Sequence, residues 1–178
     1  YGQTFETSAI TNISALAGGW NGFSQPVEDA KGIAYGNGMY VSFASTGGQR
    51  LMYSTDAVSW NSLNVPAYPY VDVTFGDGKF VAIDYNHRTL SSTDGISWTE
   101  GSAGGIDTNP NYPFQFIRYL GEPGSEKFYV FGGNTSSNKY FWTSDDGISW
   151  TQQQPGVPPT TGYDMTYGNG LSLVVGKL

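Results

Sequence analysis

One heptapeptide recurs along this chain: STDAVSW from Ser54 to Trp60, STDGISW from Ser92 to Trp98 and SDDGISW from Ser144 to Trp150. A second phrase, aromatic-Gly-Asn/Asp-Gly, answers it at Tyr35 to Gly38, Phe75 to Gly78 and Tyr167 to Gly170. A chain that repeats the same two turns repeats the supersecondary unit between them, and a period of about 40–50 residues belongs to radial or stacked arrays. Trp20 lies 16 residues before Gly36, as Trp60 lies 16 before Gly76, so Trp20 is a fourth copy of the repeat's tryptophan. Ser14 to Gly19, just before it, has lost the Ser-x-Asp-Gly phrase. The four tryptophans of the repeat are spaced by 40, 38 and 52 residues, and the 28 residues after Trp150 with the 20 up to Trp20 make 48. Four such units close a circle, with expected bounds 21–60, 61–98, 99–150, and 151–178 joined to 1–20, in a single domain spanning 1–178.

Within one unit, Asp77-Gly78 between apolar alternations signals a hairpin, because a type I′ turn needs two residues at positive φ. Val71 to Phe75 and Lys79 to Asp84 are therefore expected as paired strands. Thr89 to Thr93 and Ile96 to Thr99 are expected as two more, joined at Asp94-Gly95. No 3.6-residue period appears. The fold class that follows is all-β, a four-bladed β-propeller of four-stranded antiparallel blades. Alternation places Val71, Val73 and Phe75 on one face, with Phe80 and Ala82 packing from the next strand. Trp60, Trp98 and Trp150 are expected between blades, where each ring removes about 150–250 Å² from water. Tyr163 to Val175 supplies two strands of the last blade, and Gln3 to Ile10 with Leu16 to Trp20 supplies the other two, so both termini close it. The alternative is a slice of a longer array.

Composition narrows the function. With 15 acidic residues against 8 basic ones, the chain repels a phosphate backbone, and nucleic acid is not an expected partner. The absence of cysteine excludes disulfides, thiolate nucleophiles and cysteine-ligated zinc. Apolar runs such as Phe128 to Phe131 fall far short of the about 20 residues a spanning helix needs, so membrane insertion is not expected. Tyr1 is not a start methionine, which suits a processed chain or a portion of a longer product. Charged residues make up only 13%, while Gly, Ser, Thr, Asn and Tyr abound, a mix suited to a virion or extracellular surface. No phosphate-cradling loop, nucleotide fingerprint or histidine pair is present, and no cofactor is expected.

The Ser-x-Asp-Gly-x-x-Trp phrase resembles the Asp-box of bacterial neuraminidase-type propellers. Joined to Tyr-Gly-Asn-Gly, it resembles more closely the repeats of bacteriophage tail and other virion proteins, over Thr4 to Val175. It departs from the familiar Ser-x-Asp-x-Gly-x-x-Trp spacing, since Gly95 and Gly147 directly follow Asp94 and Asp146, and Ala57 replaces the glycine. The resemblance implies that Asp56, Asp94 and Asp146 act structurally, accepting backbone N–H groups inside their own turns. It also implies a non-catalytic structural or adhesion module of a virion, such as a tail, fibre or capsid-decorating protein, or of a cell surface. Such a module contacts structural proteins or glycans and can multimerise on a symmetric particle. The alternatives are a sialidase-like glycan-acting enzyme or secreted lectin, and an assembly scaffold. Sialidase chemistry needs an arginine cluster, whereas Arg50, Arg88 and Arg118 occupy different phases of the repeat.

Aligning units on the Gly-x-Gly turn places Gly32, Asp72, Phe116 and Asp164 at one level of the innermost strand, with Ala34, Thr74, Arg118 and Thr166 two residues later. Two facing carboxylates with two threonine hydroxyls could hold a hard cation or a water cluster. In the other reading they bond ordered water or Arg118. His87, in the turn Tyr85 to Arg88, is expected as a solvated loop residue. The connections Gly101 to Pro113 and Gln152 to Tyr163 are candidate recognition loops. Tyr68, Tyr70, Tyr85, Tyr112 and Tyr163 near them either stack on sugars or protein, or cap blade cores. The insert Gly121 to Glu126 is a further contact surface. Asn12 and Asn134 fit the N-glycosylation pattern.

Overall fold

A computed structural model of the chain describes residues 30–44, 51–63, 65, 69–101, 114–133, 139–153 and 161–177. They contain fourteen strands in four antiparallel sheets, each following chain order. The first sheet holds β1 (Ala30–Gly36), β2 (Met39–Ala44), β3 (Leu51–Ser54) and β4 (Asn61–Leu63). The second holds β5 (Tyr70–Gly76), β6 (Lys79–Asp84), β7 (Thr89–Ser92) and β8 (Thr99–Gly101). The third holds β9 (Phe114–Leu120), β10 (Lys127–Gly133), β11 (Lys139–Ser144) and β12 (Thr151–Gln153), and the fourth pairs β13 (Thr161–Gly168) with β14 (Leu171–Lys177). Gln3 to Ile10 and Leu16 to Trp20, expected to complete that last sheet, lie outside the described residues.

The Asn/Asp-Gly turns account for the first hairpin of three sheets. Asn37 and Gly38 sit at φ 49° and 77°, Asp77 and Gly78 at 46° and 71°, Asn169 and Gly170 at 52° and 78°, as a type I′ turn demands. The third sheet replaces this turn with Gly121 to Glu126, which joins Leu120 to Lys127.

Two local expectations are corrected. Ile96 to Ser97 is not strand: their N–H groups donate to the Asp94 carboxylate at 2.8 and 2.7 Å, so no donors remain for a ladder and β8 begins at Thr99. Val71 does not share a face with Val73 and Phe75. A β-bulge between Tyr70 and Asp72 shifts the alternation by one residue, sending Val71 toward the third sheet while Tyr70, Val73 and Phe75 face the first.

Core forms between neighbouring sheets, and the second sheet buries both of its faces. Val41, Phe43 and Leu51 of the first sheet meet Tyr70, Val73, Phe80, Ala82 and Leu90 of the second. The opposite face of β6, Val81 and Ile83, meets Phe114, Ile117, Phe128, Val130, Trp142 and Trp150 of the third. Trp98 packs on the first of these cores with its ring 5.6 Å from Phe43, Trp150 is buried in the second, and half-buried Trp60 belongs to neither. Trp142 carries no repeat phrase, yet it occupies the β11 position matching Met52 of β3 and Leu90 of β7, all buried. Sheets also interlock at the glycines that end their first strands. A Cβ on Gly36 would overlap the Phe75 ring, and one on Gly76 the Tyr119 ring.

Candidate functional site

The first strands of the sheets pack side by side, β1 on β5, β5 on β9 and β9 on β13, and so line a common axis. On that axis Arg118 of β9 stands between Asp72 of β5 and Asp164 of β13. Its Nη1 donates to Asp72 Oδ2 at 2.6 Å and to its neighbour's carbonyl, Ile117 O, at 2.7 Å. Its Nε and Nη2 lie 2.9 and 2.8 Å from Asp164 Oδ1. Asp72 also accepts the N–H groups of Val73 at 2.9 Å and Ile117 at 3.2 Å. Gly32 admits it, since a Cβ there would stand 2.5 Å from Asp72 Oδ1. Burial pushes the Asp72 carboxyl above its ordinary value, and the pull of Arg118 and the two N–H groups does not cancel it.

The aligned aspartates thus converge, with the guanidinium between the two carboxylates that a cation would need. Among the described residues no group of three or more His, Asp or Glu side chains is arranged to hold a metal. Half-buried Thr74 shares the wall of an axial cleft with Asp72 and Arg118, while Thr166 is exposed on β13. Phe116 stacks on Phe131 at 5.6 Å, with the Arg118 guanidinium 5.5 Å from its ring centre.

The repeated aspartates serve their own turns. Asp56 Oδ1 accepts N–H groups from Val58 and Ser59 at 2.8 and 2.7 Å and the Ser54 hydroxyl at 2.9 Å. Asp94 does the same with Ile96, Ser97 and Ser92, and Asp146 with Ile148, Ser149 and Ser144. In the first two turns the indole N–H closes the loop, Trp60 donating to Ala57 O and Trp98 to Gly95 O, both at 3.2 Å. The Ser97 and Ile96 N–H groups lower Asp94 to about 2. In Asp146 burial opposes the Ser149 and Ile148 N–H groups, which prevail and hold it at about 2. Asp56 is likewise lowered, by Ser59, Val58 and Ser54.

At the start of the first strands the axis opens into a cleft of about 560 Å³. Exposed Tyr85 and Tyr163 stand at it, with Lys31, Val71 and Gln115 along the wall. Gln115 Oε1 accepts the Gly162 N–H at 2.8 Å and ties the third sheet to the fourth there. Tyr163 is the extra residue of a bulge between Gly162 and Asp164, which turns its side chain off the ladder. Tyr85 is aimed by a clamp the sequence did not advertise. Buried Asp84 accepts the N–H groups of Asn86 and Arg88 at 2.8 and 2.7 Å, and the Tyr85 N–H donates to Pro69 O at 2.9 Å. Burial pushes the Asp84 carboxyl up against those bonds. The same tight loop corrects the expectation for His87. At φ 67° it turns inward, is buried, and meets the Phe114 ring edge-on at 5.0 Å.

Arg88 sits on this loop, 4.0 Å from Asp84 and 3.8 Å from Glu100, remote in phase from Arg118. In the insert, Glu122 accepts the Tyr167 hydroxyl at 2.6 Å, so this hairpin contacts the fourth sheet. Tyr68, Tyr112, Arg50, Asn12, Asn134 and most of the two long connections lie outside the described residues.

No protein-family model matches the chain, and no curated protein matches it in sequence. Among solved structures, the native arabinanase Arb43A of Bacillus subtilis is similar at TM-score 0.51 and 16% identity, over 86% of this chain and 66% of that one. The likeness establishes a β-propeller fold. YCF48 bound to D1 peptide matches at TM-score 0.47 and 13% identity over 76% of this chain. An exo-1,5-alpha-L-arabinanase from a bovine ruminal metagenomic library matches at TM-score 0.42 and 13% identity over 75% of it. The chain spans 42% of the YCF48 chain and 55% of this last arabinanase.

Proposed function

We propose that this chain is a non-catalytic β-propeller binding module of a virion or cell surface, and that it engages a glycan at the axial cleft between Tyr85 and Tyr163. The observation that carries the reading is the cleft itself: two exposed tyrosines held by a bulge and a buried clamp. Such rings give flat stacking area at low entropic cost, while Lys31 and the two phenols supply polar tips for hydroxyl groups. The double repeat supports the virion assignment through its resemblance to phage tail repeats. The scaffold in this proposal is a four-bladed disc whose last blade is completed by the N-terminal strands, and copies of it multimerise on a symmetric particle.

One feature favours a hydrolase instead. Asp72 is a largely buried axial carboxyl with a raised pKa, the property of a general acid. Its Oδ2 is already occupied by Arg118 and the Ile117 N–H, both donors, so it is held as an acceptor.

A glycan array followed by titration calorimetry tests the proposal. Expected is binding that falls at least ten-fold in Tyr85→Ala and in Tyr163→Ala, with unchanged melting temperature because both rings are exposed. A fluorogenic arabinoside or sialoside assay runs beside it. Turnover that disappears in Asp72→Asn would replace the binding module by an enzyme.

A further inference from the structure

Asparagine followed by glycine is among the least durable junctions in a polypeptide, because the glycine nitrogen, with no Cβ beside it, can reach the asparagine side-chain carbon. The sequence holds three, Asn21-Gly22, Asn37-Gly38 and Asn169-Gly170, and the first lies outside the described residues. The other two occupy the same type I′ turn with nearly the same backbone, φ 49° and 77° against 52° and 78°. Both are exposed, and nothing stands within 4 Å of a Cβ built on either Gly38 or Gly170, so neither access nor space separates them. In both, the central residues lie outside the ladder, which pairs Gly36 with Met39 and Gly168 with Leu171.

The carboxamides do separate them. Asn37 Nδ2 donates to Gly78 O at 3.0 Å and to Thr93 O at 2.9 Å, so both of its amide hydrogens are committed to the second sheet and the group is fixed there. Among the described residues nothing holds the Asn169 carboxamide. The Asp-Gly junctions are protected in other ways. At Asp94-Gly95 and Asp146-Gly147 the glycine N–H is itself engaged, donating to Ser92 Oγ and Ser144 Oγ at 2.8 Å, and each carboxylate holds two N–H groups and a hydroxyl. Asp77 turns to Lys79 at 3.3 Å and, as a carboxylate, is a poor electrophile. Among the described residues Asp77 makes no hydrogen bond to the third sheet, although the second and third share a core. An Asn169 without a clamp is therefore compatible with packed neighbouring sheets and with the disc.

We propose that Asn169-Gly170 is a self-modifying junction, converting without an enzyme to aspartate and isoaspartate, while Asn37-Gly38 persists. The Gly170 nitrogen gives its proton to solvent base and bonds to Asn169 Cγ; the Cγ–Nδ2 bond breaks, and the side-chain nitrogen takes up a proton from solvent and leaves as ammonia. Water then opens the cyclic imide. Cleavage between Cγ and the Gly170 nitrogen leaves aspartate. Cleavage between the Asn169 carbonyl carbon and that nitrogen leaves isoaspartate, whose backbone runs through the side chain. The net change is amide plus water to carboxylate plus ammonia, with nothing oxidised or reduced. Aspartate is compatible with the turn, since Asp77 occupies the same turn at φ 46°. Isoaspartate adds a methylene to the backbone, and a two-residue turn has no slack for it. The change therefore acts on the pairing of β13 with β14, and through β13 on Tyr163 and Asp164.

Tryptic cuts after Lys31, Arg50, Lys139 and Lys177 leave Asn21, Asn37 and Asn169 in separate peptides. Mass spectrometry of the whole chain, incubated at mildly alkaline pH and then digested, follows each junction alone, and methyl transfer by an isoaspartyl methyltransferase marks the isoaspartate. In the folded chain Asn169 is expected to convert at least ten-fold faster than Asn37, with the methyl label on the Asn169 peptide. In urea, where the Asn37 clamp is gone, the two rates are expected to converge. Equal rates in the folded chain, or a faster Asn37, overturn the proposal, as does an Asn169 that survives in the folded chain and converts only in urea. A difference that persists in urea overturns it too, since local sequence and not the fold would then set the rates. Neither readout involves a glycan, so the result stands apart from binding at the axial cleft.

Discussion

At Ala57, Gly95 and Gly147 the same left-handed backbone carries different side chains, with φ 59°, 74° and 71°. A Cβ at Gly95 would meet Met39 and Val41 at 2.9 Å, and one at Gly147 would meet Val81 at 2.6 Å, so these glycines also allow the turn to press on the preceding sheet. Gly147→Ala is therefore expected to lower stability by about 1–3 kcal/mol through combined strain and overpacking. Ala57→Gly should raise it by a few tenths or leave it unchanged. Urea melts of the two variants check the contrast, and equal shifts would show that packing on the preceding sheet is irrelevant. The carboxylates beside these residues set the acid limit. Asp94 and Asp146 titrate at about 2 in the fold against 3.8 for a free side chain, so between those values the unfolded chain binds more protons and stability rises with pH. Their contribution is complete above the free value and is lost as pH falls toward about 2. Asp94→Asn with Asp146→Asn should flatten the fall of the urea midpoint across that window. An unaltered slope would place the acid sensitivity elsewhere.

At the scale of the element, the axial strands depend on one guanidinium shared between Asp72 and Asp164. Removing it strands a carboxylate that is 13% exposed, so Arg118→Ala is expected to cost about 1–3 kcal/mol, discounted because Arg118 itself is partly exposed. Adding Asp72→Asn to that variant should recover part of the loss, which a double-mutant cycle measures. Calcium and chelator should leave the melting temperature of the unmodified chain unchanged, because the guanidinium already occupies the space between the two carboxylates; a rise with calcium would restore the cation reading. The sequence placed Asp72 and Asp164 at one level, with Arg118 two residues further on, because the Gly-x-Gly turns after β5 and β13 set a common register for those first strands. It missed the bulges at Val71 and Tyr163, which turn-based alignment cannot detect, since one extra residue leaves the turn motifs untouched. Ile96 was misjudged for a related reason: apolar character suggested strand, while Asp94 two residues earlier claimed its N–H. Buried His87 left no pattern at all, because its inward turn depends on the carboxylate of Asp84, three residues before it.

For the whole molecule, the axial cleft and the sheet boundaries belong to one mechanical problem. Neighbouring sheets stabilise each other only through their shared faces, so stability propagates along the row as in any repeat array, and a free end is its weakest point. Trp150→Ala, in a core between two sheets, is expected to cost about 3–5 kcal/mol. If the row closes on itself, that loss spreads over one cooperative transition; in an open row it separates into two. Circular permutation makes the distinction without removing a residue. A chain that begins at Asn21 and runs through Leu178, a short Gly/Ser linker and then Tyr1 to Trp20 makes the proposed fourth unit continuous in sequence. In a self-closed disc the permutation moves a cut from inside one sheet to a connection between sheets, a site where breaks are tolerated. The permutant is then expected to melt in a single transition within a few degrees of the parent, with the same denaturant slope, because the same surface is buried. In an open row the linker would force together ends that do not match, and the permutant would melt earlier, with a shallower slope. The slope therefore decides, since it reports the surface exposed on unfolding and does not depend on any ligand.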